Sequence, residues 1–209
     1  MIEMRGSKVM SKLVCGVGIS EKGEFKRTVL VGSKQVETRE YKLWRNMLQR
    51  CYSEKLHRKH PTYAGCTVSD DFKYFQRFAK WCQLQVGFGL DGYHLDKDVL
   101  LKGNKLYSEE TCVFVPSNIN LLLIKRHARR GEYPIGVNWY ELDQKYRASC
   151  SEGGGKSKHL GYFTTPEAAF LVYKAFKETL IKRLAQEYYG IIDHRVYEAL
   201  LAYEVNITD

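Results

Sequence analysis

No apolar run in this chain approaches the ~18 residues that a membrane span needs. The start, Met1-Ile2-Glu3-Met4-Arg5, lacks the apolar core of a secretory signal. These two absences set the expectation of a cytoplasmic protein with no membrane partner. The six cysteines (Cys15, Cys51, Cys66, Cys82, Cys112 and Cys150) are scattered and form no CxxC pair. In a reducing compartment such residues are expected as buried small hydrophobes. A zinc site built from Cys51, Cys66, Cys112 and either His57 or His60 lacks the spacing of a zinc module, so zinc is not expected.

What the chain does have is core material and positive charge. Its 209 residues are 44% hydrophobic, enough for one large domain or two small ones. Lysine plus arginine number 33 against 24 acidic residues, a formal charge of +9 and a pI near 9.2. Such a balance favours nucleic acid as partner, because each neutralised phosphate releases counterions. The plain alternative is a generic basic surface.

Periodicity divides the first half of the chain. Cys15–Ile19 and Thr28–Gly32 suggest short strands between glycine turns. From Tyr41 the period becomes helical, with Leu43, Trp44, Met47, Leu48 and Cys51 on one face. His57 to Thr62 is a polar loop ended by Pro61. Val68 to Val86 is helical again. Its stripe Phe72, Phe75, Phe78, Ala79 and Cys82 has the continuous spacing of a core face rather than of a base-stacking platform. A strand over His94–Leu101, a Gly103-Asn104 turn, a strand at Cys112–Val115 and a helix from Ile119 to Ile124 follow. The basic run Lys125-Arg126-His127-Ala128-Arg129-Arg130 is then either a solvated helix end or a phosphate-contacting linker.

The second half has a clearer pattern. Ile135–Tyr140 is rich in strand formers, and Leu142-Asp143-Gln144 is a turn. Lys145–Ser151 alternates strictly, with Lys145, Arg147, Ser149 and Ser151 on one side and Tyr146, Ala148 and Cys150 on the other. Gly153-Gly154-Gly155 is a hairpin loop before a third strand, Lys158–Phe163. Thr164 or Thr165 caps a helix with Pro166 near its first position. Ala168, Ala169, Val172, Tyr173, Phe176 and Leu180 form that helix's packing face. The helix takes one side of the sheet, which leaves a basic, polar face able to enter a major groove.

This order, carried by Ile135-Gly136-Val137-Asn138-Trp139, Lys145–Ser149, Leu160-Gly161-Tyr162-Phe163 and Pro166-Glu167-Ala168-Ala169, resembles an AP2/ERF-type DNA-binding domain. The resemblance implies that the sheet, not the helix, contacts double-stranded DNA. Plant-type members carry several arginines on the first strand, where this chain has Ile135, Asn138 and Tyr140. It is closer to versions found with phage and mobile-element proteins. The residues expected at DNA are Asn138, Tyr140, Lys145, Arg147, Ser149, Lys156, Lys158 and His159, together with Arg126, Arg129 and Arg130.

A second resemblance lies upstream. His94-Leu95-Asp96-Lys97-Asp98, Gly103-Asn104-Lys105 and Thr111-Cys112-Val113-Phe114-Val115-Pro116-Ser117-Asn118-Ile119-Asn120 resemble the HNH core of homing-type endonucleases. The pieces Gly16–Ile19, Trp44–Tyr52 and Tyr63–Cys66 also resemble phage proteins of this HNH–AP2 class. The family pattern implies Mg²⁺ between Asp96 and Asn120, with Asn104 and Ser108 as polar loop residues. Mg²⁺ needs hard oxygen ligands, which these two side chains supply. The position of the family's general base holds Lys97, and a lysine protonated at neutral pH cannot take a proton. His94, two residues away on the same strand face, is the nearest substitute.

The expected architecture is therefore α+β, in three parts. A degenerate HNH-like ββα-metal domain spans 1–128. An AP2-like three-stranded antiparallel sheet packed on one helix spans 131–190. A helical tail spans 191–209. The expected function is binding of double-stranded DNA by a phage- or mobile-element-encoded protein whose cutting half is impaired. One alternative is an active Mg²⁺-dependent nickase that uses Asp96, Asn120 and either His94 or Lys97. The other is an interaction protein that inhibits a host defence or nucleic-acid-processing enzyme.

Overall fold

The computed structural model describes residues 13–123, 132–153 and 156–209. The chain is mixed helix and sheet. In order the elements are β1 (Thr28–Val31), β2 (Lys34–Glu37), α1 (Arg39–Tyr52), α2 (Glu54–Lys59), β3 (Thr67–Val68), α3 (Phe75–Gln83), β4 (Tyr93–Asp96), β5 (Leu106–Tyr107), β6 (Val113–Pro116), α4 (Ser117–Leu123), β7 (Val137–Tyr140), β8 (Lys145–Gly153), β9 (Lys156–Phe163), α5 (Pro166–Glu187) and α6 (His194–Leu201). None of the helices among the described residues is long and apolar enough to cross a membrane. The chain divides into two compact units, Met1–Gly89 with Leu101–Cys112, and Leu90–Leu100 with Val113–Asp209.

The first unit is built on aromatic packing. Thr38 caps α1, its hydroxyl accepting from the Tyr41 N–H, and the helix buries Trp44, Met47, Leu48 and Cys51. Trp44 is fully buried and donates its indole N–H to the Phe72 carbonyl at 2.8 Å, which satisfies its one polar group. Phe72 meets Phe78 and Trp81 edge-on at 5.0 and 4.9 Å. The Phe72–Cys82 stripe is thus a core face. The helix expected over Val68–Val86 is, however, shorter: β3, a 3₁₀ turn at Asp71–Lys73 and then α3 share that stretch. The polar loop expected over His57–Thr62 is largely helical. Ser53 both ends α1 and caps α2, and Pro61 opens a 3₁₀ turn.

The second unit is organised by α5. Thr165 caps it, accepting from the Ala168 N–H at 3.2 Å, and Pro166 sits in its first turn. Its part from Pro166 to Leu180 packs under the sheet β7-β8-β9, where Ala169, Phe170, Tyr173 and Leu180 meet Val137, Ala148 and Cys150. Its C-terminal part packs elsewhere. Ile181 and Ala185 join Val113, Val115 and Ile119 of β6 and α4, with Val196 and Leu200 of α6. Each such aliphatic side chain contributes roughly 1.5–3 kcal/mol by burial. That second cluster is why β4, β6 and α4 group with the C-terminal helices. The expected boundary near residue 128 does not follow this division.

Gly136 is fixed by close approach. It has φ +80°, and a Cβ there would stand 2.1 Å from the Tyr173 ring.

Candidate nucleic-acid interface

The uncovered face of the β7-β8-β9 sheet is set by register. Asn138 pairs with Arg147 and Arg147 with Tyr162, so the three lie in one row. Tyr140 lies opposite Lys145, and Ser149 opposite His159. Between Ala148 and Ser149 the register slips by one residue of β9. Leu160 is the extra residue, and Gly161 takes φ +134°, a conformation that a side chain would resist. The bulge resets the alternation, so that His159 and Tyr162 share the open face although they stand three apart.

These side chains contact one another. Arg147 donates from Nε to Asn138 Oδ1 at 3.3 Å, and its guanidinium lies 5.5 Å over the Tyr140 ring. Tyr140 and Tyr162 are 5.1 Å apart between ring centres, and His159 and Tyr162 4.7 Å. Lys145, His159 and Tyr162 are exposed, while Asn138, Tyr140, Arg147 and Ser149 are half-buried. Desolvation by its neighbours, reinforced by Tyr140, raises the Tyr162 phenol above its ordinary value, so it remains a donor at neutral pH. The face offers donors, one amide and two phenols, with the cation of Arg147 over the Tyr140 ring.

Two expected contacts stand elsewhere. Lys158 registers against Cys150, on the side that packs against α5, and its ammonium lies 5.0 Å over the Phe176 ring. Adjacent strand residues point oppositely, so Lys158 cannot share a face with His159. Lys156 is exposed beside the hairpin turn, opposite Gly153. Arg126, Arg129 and Arg130 lie outside the described residues. Tyr162 was not among the expected contacts. Its signal was the direct pairing with Arg147, which emerges only when the bulge is known.

The first unit carries a basic surface of its own. Within α2 and just after it, Lys55, Arg58, Lys59 and His60 are exposed, and Glu54 is the lone acid of the helix. Lys55, Arg58 and Lys59 make no ion pair among the described residues. Lys105 donates to the Thr62 and Ala64 carbonyls at 2.7 and 3.3 Å, and Arg50 lies 5.4 Å over the Tyr63 ring. The run Lys55-Leu56-His57-Arg58-Lys59-His60 was visible in the sequence as charge density alone.

β4 pairs antiparallel with β6, and α4 follows β6 directly; the polar groups of this segment are internally engaged. Asp96 Oδ1 accepts from the Asp98 and Val99 backbone N–H groups at 2.7 and 2.8 Å, closing the turn after β4. Burial raises its carboxyl above the ordinary value, against the pull of those two donors. Lys97 is only 6% exposed, and its ammonium lies 2.6 Å from the Asp98 carboxylate. It is a buried ammonium paired with an exposed carboxylate, neither a free base nor an open phosphate contact. His94 bonds through Nε2 to the Ser117 hydroxyl at 2.8 Å, and that hydroxyl donates to the Gly92 carbonyl at 2.7 Å. His94 therefore donates there and steadies the start of α4.

Asn104 and Ser108 belong to the first unit, whereas this hairpin belongs to the second. Asn104 bonds both backbone groups of Leu106, and Ser108 donates to Glu110 at 2.7 Å. Among the described residues no three His, Cys, Asp or Glu side chains are placed to hold a metal. Asp96 Oδ1 thus caps the turn after β4. The cysteines named for zinc are buried thiols, and His57 Nε2 lies 2.7 Å from the Arg50 carbonyl.

No protein-family model, curated protein or solved structure matches this chain. The likenesses to HNH- and AP2-type domains rest on sequence motifs alone.

Proposed function

We propose that this protein binds double-stranded DNA through the open face of the β7-β8-β9 sheet and does not cut it. The observation that carries this reading is the row Asn138–Arg147–Tyr162, flanked by Lys145, Tyr140 and His159, on the one sheet face that α5 leaves uncovered. A β-sheet of this kind fits the major groove, where arginine pairs with guanine and asparagine with adenine edges. The amide oxygen of Asn138 already accepts from Arg147, so these two act as one unit, in which Arg147 carries the stronger contact. The basic surface of α2 supports a second, sequence-independent contact with phosphates.

The reading that it does not cut DNA is supported by roles that Asp96, Lys97 and His94 already hold. Asp96 holds a turn, Lys97 is paired with Asp98, and His94 is tied to Ser117. Filter binding of a random-sequence duplex across a salt series tests the proposal. The logarithm of affinity falls linearly with the logarithm of salt, with a slope set by the number of phosphates neutralised. Affinity indifferent to salt refutes it. Nicking of supercoiled plasmid in Mg²⁺ or Mn²⁺, abolished by Asp96→Ala, refutes its second half.

A further inference from the structure

A cleft of about 860 Å³ lies within the second unit, between α4, the free end of β8 and α5. That size suits a small organic molecule. One wall is apolar, formed by Leu121 and Leu122 of α4, Ile135, and Leu180 and Leu184 of α5. The other is formed by the edge of β8 from Ser149 to Gly153 and by Lys177, with Arg183 and Glu187 further along α5.

Lys177 is the unusual group. It makes no hydrogen bond and no ion pair among the described residues. The acids near it on α5 are already engaged. Glu178 accepts from Lys174 at 2.7 Å and from the Val205 N–H at 2.8 Å, and Glu187 stands 3.8 Å from Arg183. Glu152 lines the cleft but is exposed to solvent. Cys150 gives no counter-charge, because burial pushes its thiol up and keeps it neutral. Burial likewise holds the Lys177 amine below its ordinary value. An unpaired ammonium withdrawn from water costs free energy that a bound anion would recover.

We infer that this cleft binds a small organic anion, with its carboxylate or phosphate on Lys177 and its apolar body against Leu121, Leu180 and Leu184. Lys156 at the rim adds favourable charge without closing the site. An inorganic ion alone would leave the leucine wall wet, and a neutral hydrocarbon would leave the amine unpaired. Both halves of the ligand are needed. The inference stands independently of the DNA reading.

The test is calorimetric titration of the full chain with 1-naphthyl phosphate, 1-naphthol and inorganic phosphate. The expected result is saturable binding of one 1-naphthyl phosphate per chain, at least about tenfold tighter than either fragment. Lys177→Met lowers its affinity to that of 1-naphthol, and Lys177→Arg keeps most of it. Equal binding of 1-naphthol, equal binding of inorganic phosphate, or an unchanged Lys177→Met overturns the inference. A second measurement needs no variant: acetic anhydride labels Lys177 of the wild-type protein, and saturating 1-naphthyl phosphate protects it, as read by mass spectrometry. Labelling that the ligand does not slow overturns the inference equally.

Discussion

Two segments of the second unit bear the residues that point most strongly to nucleic-acid chemistry, and they treat those residues in opposite ways. In the β4–β6–α4 hairpin, each polar side chain at the centre has a partner of its own: Asp96 with two backbone N–H groups, Lys97 with Asp98, His94 with Ser117. On the β7-β8-β9 sheet, Lys145, His159 and Tyr162 face solvent, and Arg147 is propped on Asn138 and Tyr140 without being covered. The lesson is about availability. A motif-bearing residue whose bonding capacity is filled by its own backbone holds structure, whereas the same residue type on an uncovered face remains free to meet a ligand.

The largest expected effect sharpens the sheet side of that contrast. Lys145→Ala with Arg147→Ala weakens duplex binding by about 1–3 kcal/mol, roughly 5- to 150-fold in Kd, with unfolding unchanged, measured by filter binding and circular dichroism. An unaltered Kd would show that the sheet face is not the interface. Next comes the hairpin. Asp96→Ala strands the Asp98 and Val99 N–H groups and costs about 1–3 kcal/mol in urea unfolding. Asp96→Asn keeps an acceptor and costs under about 1 kcal/mol. If Asp96→Ala is neutral for stability, the turn-cap role falls.

A smaller effect belongs to the first unit. Reversing Lys55, Arg58 and Lys59 to glutamate makes the salt dependence of DNA binding shallower, by about one unit of slope for each phosphate that the protein no longer neutralises. An unchanged slope assigns all the phosphate binding to the second unit.

The smallest effect is in pH. Burial raises the Asp96 carboxyl, so the folded state holds that proton more tightly than the unfolded chain does. Its contribution is fully present below the unfolded carboxyl's ordinary range and is lost as pH rises through the raised value. Asp96→Asn removes the dependence. Urea unfolding of both proteins across the acid range should therefore show the wild type losing ground to the variant as pH rises.

Much of the sheet was legible because its signals are local. The alternation of Lys145–Ser151 places Ala148 and Cys150 in the core, and Thr165-Pro166 marks the start of α5. The stripe from Leu43 to Cys51 likewise marks α1. What was not legible depended on distant partners. Lys158 points to Phe176 because a bulge shifts β9 by one residue, and no local pattern announces a bulge. Lys97 is buried with its ammonium on Asp98, whereas its sequence context reads equally well as an altered catalytic position. The short helix α2 was hidden by polar residues that leave no apolar stripe. The hairpin's allegiance to α5 and α6 needed the cluster of Val115, Ile119, Ile181 and Val196, whose members lie far apart along the chain.

One consequence of that allegiance concerns dissection of the molecule. The chain enters the first unit, leaves it at Leu90, returns for Leu101–Cys112, and leaves again at Val113. No single cut releases either unit whole. A fragment ending near residue 128 would keep β6 and α4 but strip away α5 and α6, exposing Val113, Val115 and Ile119 to water. A fragment beginning near residue 131 would leave Ile181, Val196 and Leu200 equally bare. The sheet is thus not a cassette that can be lifted out at one hinge and grafted elsewhere. Any transplant must carry its hairpin with it, as two separate lengths of chain rejoined by a new connection across the gap from Leu100 to Val113.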